Sequence, residues 1–189
     1  MRSPAPQDDP FLPRIATERL VLRPLTAADA DALFAIFSDP AVMKYWNTPP
    51  WPSVDTAACF IAERREEIAR QAAITLGICL QAEEEGPPIG QCMLFAIDPA
   101  SRRAEIGFGL GRGHWGQGYI GEAGRALIAH GFDRLGLRRI EAEIDPDNSA
   151  SAQALERLGF IREGLLRQRW EIDGVVSDSA LYGLLASDR

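Results

Sequence analysis

Hydrophobic and polar positions first fall into register at RLVLRPL, Arg19 to Leu25, where Leu20, Leu22 and Pro24 oppose Val21 and Arg23 and read as a strand. Thr26 then stands as a helix N-cap, with Asp29 in the acidic slot of a capping box. Leu33, Phe34, Ile36 and Phe37 lie on one helical face, which Asp39-Pro40 ends. MKYWNTPPWP mixes aromatics with prolines and reads as an irregular loop. A second helix begins at Ser53 and runs to about Arg70, its ERREE run on the solvated side. AITLGICLQ and IGQCMLFAI form a hairpin across the turn EEEGPP, and DPASRR turns again into the strand AEIGFGL.

Glycine then takes over from Gly111 to Gly121 and opens a helix with the apolar face Leu127, Ile128, Phe132 and Leu135, stopped at Gly136. RRIEAEID reads as a strand. A helix from Ser149 to about Leu158 follows, and strands at Phe160 to Trp170 and Ser179 to Leu185 close the chain. The order β-α-α-β-β-β-α-β-α-β-β is that of an α/β domain. Residues 1–13 carry four prolines and little apolar material, so they read as a flexible leader before a single domain at 14–189.

With 189 residues, 46% hydrophobic and 25% charged, the chain can bury one core. The net charge of −7 argues against nucleic acid or an anionic membrane surface as partner and favours cationic ones. Cys59, Cys79 and Cys92 are too scattered for a disulfide framework, and with His114 and His130 the only imidazoles no metal site is expected. No apolar run has membrane-spanning length, and the cytoplasm is the expected compartment.

The chemistry concentrates in GRGHWGQGYIGEA, Gly111 to Ala123, between a strand and a helix. A helix N-terminus leaves several N–H groups unpaired and favours anions by about 0.3–1 kcal/mol per interaction, while glycine lets backbone approach phosphate oxygens closely. Gly-x-Gly-x-x-Gly occurs twice, from Gly111 and from Gly116, which raises a dinucleotide fold. That motif belongs after the first strand of a βαβ unit, whereas hairpin strands precede it here, and no Walker lysine is present. A connector whose glycines only make turns is the bland alternative.

WGQGYIGEA, Trp115 to Ala123, resembles the pyrophosphate loop of the GNAT superfamily of acetyl-CoA-dependent N-acetyltransferases. ERLVLRPL, AEIGFGL, DNSAS (Asp147 to Ser151) and ERLGF (Glu156 to Phe160) resemble its RimJ/RimL-type branch, in the same order from Thr17 onward. The resemblance implies a mixed, mostly antiparallel sheet of about seven strands flanked by helices, with a splayed central pair ending at Leu110 and Ile144. It implies that coenzyme A is held by Leu110, Gly111, Trp115, Gly116, Gln117, Gly118, Tyr119, Ile120, Gly121 and Asn148. Ile120 departs from the small residue usual there, and Glu122, beside a pyrophosphate, must point away from it. An amine acceptor is implied, a ribosomal-protein N-terminus among the candidates, and a homodimer through the final strands is plausible.

The attacking amine must be neutral. An α-amine with a pKa of about 8 costs only ~1.4 kcal/mol to deprotonate at pH 7, whereas a lysine near 10.4 costs ~4.6 kcal/mol, so a nearby carboxylate matters in proportion. Glu105 is the candidate base: strand alternation puts it on one face with Gly107 and Gly109, whose missing side chains would leave room for ligand. Pairing with Arg102 or Arg103 on the hairpin is the competing reading. The tyrosine that many relatives use as acid is Leu155 here, and Ser151 matches the serine of the RimL-like alternative. Met43, Lys44, Tyr45, Trp46 and Trp51 either wall the acceptor pocket or simply pack the core. Arg167, Arg169 and Trp170 fall near the same groove without a pattern that singles them out. A noncatalytic acyl-CoA sensor and a nicotinamide-dependent oxidoreductase are the rival functions.

Overall fold

In the computed structural model, residues 9–83, 86–172 and 174–189 are described. They build one sheet from β1 (Ile15–Ala16), β2 (Leu20–Pro24), β3 (Ile74–Leu80), β4 (Gly90–Asp98), β5 (Arg103–Leu110), β6 (Arg139–Ile144), β7 (Ile161–Ile172) and β8 (Val175–Leu185). The spatial order is β1-β2-β3-β4-β5-β6-β8-β7, antiparallel throughout except for the parallel pair β5–β6. The sheet therefore has eight strands, not about seven. The extra one, β1, pairs Ile15 with Leu22 and Ala16 with Val21, and two residues are too few to show a period.

Among the described residues five α-helices cover the two faces: α1 (Ala30–Phe37), α2 (Pro40–Met43), α3 (Val54–Ala69), α4 (Tyr119–Asp133) and α5 (Ser149–Arg157). The single turn of α2 lies where a plain helix stop was expected. Asp39 Oδ1 accepts from the Ala41 N–H at 2.8 Å and Pro40 occupies the first helical position, so the pair that ends α1 also starts α2. In the turn EEEGPP, Glu84 and Glu85 lie outside the described residues, as do residues 1–8 of the leader. The leader's later part is held: the Pro10 carbonyl meets His130 Nε2 at 2.7 Å, and Phe11 packs on the core.

Alternation divides the sheet. Leu20, Leu22, Leu76, Leu94, Ile106 and Ile140 pack under Leu127 and Ile128 of α4 and Leu155 of α5. The opposite face carries α1, α2 and α3, whose Leu33, Phe37, Met43 and Ile61 form a second cluster with Trp46 and Trp51. Phe37 is 5.3 Å from Trp46 and 4.9 Å from Trp51, ring to ring. Met43, Trp46 and Trp51 are thus core packing, while Lys44 is exposed. Cys79 and Cys92 are buried but Cys59 is exposed on α3, and burial pushes the Cys92 thiol up to about 12.

The β5–β6 ladder is short. It joins Arg103 to Arg139, Ala104 to Ile140 and Glu105 to Glu141; beyond that point the two strands no longer pair with each other, β5 staying on β4 as far as Leu110 and β6 on β8 as far as Ile144. The splay begins at Glu105.

Candidate active site

Two residues force the loop into α4 to be glycine. Gly116 and Gly118 have φ of +72° and +80°, which an L side chain adopts only with strain, and Gly118 is the N-cap of α4. Among the described residues no carbonyl outside the helix accepts from the amides of Gly116 to Gly121. They remain available to an anion at the helix mouth. The start of the glycine stretch is different: the Gly111 N–H donates to the Ile89 carbonyl at 2.8 Å, and the Leu110 carbonyl accepts from Trp115 Nε1 at 2.7 Å. Leu110, Gly111 and Trp115 are therefore engaged with the chain itself and frame the loop. Ile120 turns inward against the core, which leaves its amide free of its own side chain.

Cations that the sequence did not single out ring this mouth. Arg19 Nη1 donates to the Gln117 carbonyl at 3.0 Å, and its guanidinium lies 4.7 Å from the centre of the Tyr119 ring. A Cβ on Gly121 would meet Arg125 Nη1 at 3.6 Å, because a helical side chain four residues on folds back over the N-terminus. Glu122 is turned away from the mouth. It accepts from Thr17 Oγ1 at 2.6 Å and from the Arg19 N–H and Nε at 2.7 Å each. Burial pushes its carboxyl up, but these bonds outweigh burial and hold it below the usual range. Gly118→Ala should weaken acetyl-CoA binding about tenfold, the value of roughly one charge-assisted hydrogen bond, as read by calorimetry. Its conformational strain should add a stability loss of about 1 kcal/mol.

Glu105 stands where the strands part, half-buried and, among the described residues, outside any ion pair. Arg103, its expected alternative partner, instead contacts Glu141 at 2.9 Å and Asp98 at 3.7 Å. Burial first, then the neighbouring Glu143 and Glu141, raise the Glu105 carboxyl above its ordinary value. The vacant side of the glycines differs from expectation at one position. A Cβ on Gly109 would sit 2.8 Å from both Phe37 and Trp46, so aromatic rings occupy that space; at Gly107 it would make ordinary contact with Met93 and Phe95 at 3.4 Å.

Asn148 caps α5, its Oδ1 accepting from the Ser151 N–H at 3.1 Å. The cap fixes the amide side chain and places Ser151, partly buried, in the first turn of α5. Exposed Lys44 donates to Tyr45 Oη at 3.0 Å, and that bond, followed by the charges of Asp147 and Asp145, holds its ammonium pKa up. A cavity of about 430 Å³ between α1 and the glycine stretch, lined by Ile36, Asp39, Val42, Ile89 and His114, adjoins Gly111 at the C-terminal end of β5, not Glu105.

Comparison with known proteins agrees with this geometry. Residues 19–161 match the acetyltransferase (GNAT) domain family. The chain is 40% identical over 169 residues to the uncharacterized N-acetyltransferase p20 of Bacillus licheniformis, spanning 89% of this chain and 94% of that protein. It is 38% identical over 99 residues to the ribosomal-protein-serine acetyltransferase of Escherichia coli, spanning 52% and 55% of the two. Among solved structures, RimJ of Mycobacterium smegmatis in complex with CoA-disulfide superposes with a TM-score of 0.80 at 26% identity, covering 89% of this chain and 83% of that one. The chain belongs to the GNAT acetyltransferase family. It is an N-acetyltransferase whose acetyl donor is acetyl-CoA.

Proposed function

We propose that this enzyme passes acetyl from acetyl-CoA directly to a primary amine at the apex of the β5–β6 splay, with a protein N-terminus, ribosomal proteins included, as the favoured acceptor class. The observation that carries the reading is Glu105, a half-buried carboxylate outside any ion pair among the described residues, where the two strands separate. The amides of Gly116 to Gly121 hold the diphosphate, aided by Arg19 and Arg125, and the pantetheine arm runs down the gap between the strands. Glu105 first takes the ammonium proton, directly or through one water, and the neutral amine nitrogen then attacks the thioester carbonyl carbon. The C–S bond then breaks, and the proton that the now cationic nitrogen loses as it becomes the amide is relayed through the Ser151 hydroxyl to the departing thiolate, which leaves as coenzyme A.

An α-amine suits such a site, because its lower pKa demands less of the base than a lysine would. The similarity to a ribosomal-protein-serine acetyltransferase supports the same acceptor class. Three unpaired cysteines fit the proposed cytoplasmic setting, and no helix among the described residues is long and apolar enough to cross a membrane. Exposed Ile161 and Leu165 on the edge strand β7, with Val175 and Val176 on β8, support a pairing of two copies there.

A thiol-release assay with acetyl-CoA and a panel of short peptides, amino acids and polyamines tests the acceptor reading. Turnover is expected to be fastest with a free peptide N-terminus and lost when that terminus is blocked. Equal rates on blocked, lysine-containing peptides would overturn it.

A further inference from the structure

We propose that Arg169 sets how much positive charge the acceptor site takes: by neutralising Glu143 it leaves Glu105, of the three glutamates there, the one without a cation among the described residues, so that an acceptor with a single ammonium is preferred over a dication. The inference rests on the acceptor site lying at Glu105.

Three glutamates share this patch of sheet. Glu105 of β5 pairs in register with Glu141 of β6, and Glu143 lies two residues further along the same face. Glu141 is bound by Arg103 at 2.9 Å and by Arg139 at 2.7 Å, and Arg139 also grips Glu163 of β7. Glu143, whose side chain is only 13% exposed, accepts from Arg169 Nε at 3.0 Å and from Trp170 Nε1 at 2.8 Å. Only Glu105 of the three has no cation of its own among the described residues.

Two adjacent residues on a regular strand point to opposite faces. Arg169 and Trp170 nevertheless reach the same carboxylate, across the intervening β8, because β7 is bulged. Leu166 pairs with Ser179 and Trp170 with Ser177, so four steps along β7 answer two along β8. Gln168 takes a φ of +52° in the bulge, and its N–H donates to Asp178 Oδ1 at 2.8 Å. The guanidinium of Arg169 also lies 5.2 Å from the centre of the Trp170 ring. A strained backbone that delivers two donors to one carboxylate is the mark of a positioned group. The groups acting on Glu105 are Glu143 and Glu141, which raise its pKa, and Arg103 and Arg169, which lower it. Removing Arg169 therefore exposes a second anion beside the base and raises the base further.

The test compares 1-aminobutane with 1,4-diaminobutane, which differ by one ammonium, in wild type, Arg169→Gln and the double variant Arg169→Gln/Glu143→Gln. Thiol release gives kcat/KM for each; where an amine is not turned over, its competition with a peptide acceptor gives an inhibition constant, and the ratio of those constants is compared instead. In Arg169→Gln the diamine-to-monoamine ratio should rise about fivefold through KM, and the acid limb of the pH–rate profile should move to higher pH. In the double variant the gain should vanish. An unchanged ratio in Arg169→Gln, or a gain that survives loss of Glu143, overturns the proposal. If Glu105 is not the base, Glu105→Gln will keep the wild-type pH profile, an outcome that stands apart from the amine ratio.

Discussion

Glu105→Gln should lower kcat about a hundredfold or more while leaving acetyl-CoA affinity within about twofold, because a positioned base contributes roughly 10²–10⁴-fold to proton transfer. Glutamine keeps the shape and removes only the proton acceptor. The pH dependence separates a chemical role from a packing one. Burial and the carboxylates of Glu143 and Glu141 hold the Glu105 pKa above its ordinary value, so the protonated, inactive form persists to a higher pH than for an exposed glutamate. Wild-type kcat/KM should therefore fall as pH drops through that raised pKa, and the variant's profile should lack the limb. The loss should be smaller for an α-amine acceptor than for a lysine, whose deprotonation costs ~3 kcal/mol more at neutral pH. A variant that retains its rate and its acid limb would leave Glu105 with no part in the chemistry.

The second large effect concerns stability. Asp29 and Arg23 form a bidentate pair at 2.8 and 2.9 Å, with side chains only 5% and 11% exposed. Asp29 Oδ2 also accepts from the Thr26 N–H at 2.7 Å and from Thr26 Oγ1 at 3.0 Å. Asp29→Ala removes the carboxylate that holds the Arg23 guanidinium bidentately and, with it, the cap at the start of the α1 segment. It should cost about 3 kcal/mol in urea unfolding. Burial pushes the Asp29 carboxyl up, but the bonds from Arg23 and Thr26 outweigh it and leave the folded pKa depressed. A depressed carboxyl stabilises the fold above its unfolded pKa, and that stabilisation fades as pH falls through the folded value. Wild type should therefore lose stability in acid more steeply than Asp29→Ala. A cost below about 1 kcal/mol would show that this pair does little for the fold.

How far the residues alone reached depended on the kind of signal. AEIGFGL and the glycine stretch placed a strand before a helix mouth because a period of two and a run of glycines are local facts. Thr26 and Asp29 likewise showed a cap, but Arg23, the stronger partner, was hidden because its side chain arrives from a strand. Local pattern could not show β1, which has two residues, or the start of β8 at Val175, upstream of the expected Ser179. The bulge in β7 breaks the alternation on which strand faces are assigned, so Arg169 and Trp170 gave no pattern at all. The space beside Gly109 was read as room for ligand, yet Phe37 and Trp46 fill it, since what covers a glycine is a tertiary fact. Arg19 and Arg125 were legible only as charges; their approach to the glycine loop needed the packing of β2 and α4.

The central claim is that free amides at the start of α4 hold the diphosphate of acetyl-CoA. Backbone amide NMR during titration with coenzyme A, with pantetheine as the ligand lacking the diphosphate, tests it most directly. The largest shifts should fall on Gly116, Gly118 and Gly121 with coenzyme A and be absent there with pantetheine. Shifts of equal size with both ligands, or a maximum elsewhere on the sheet, would contradict the account.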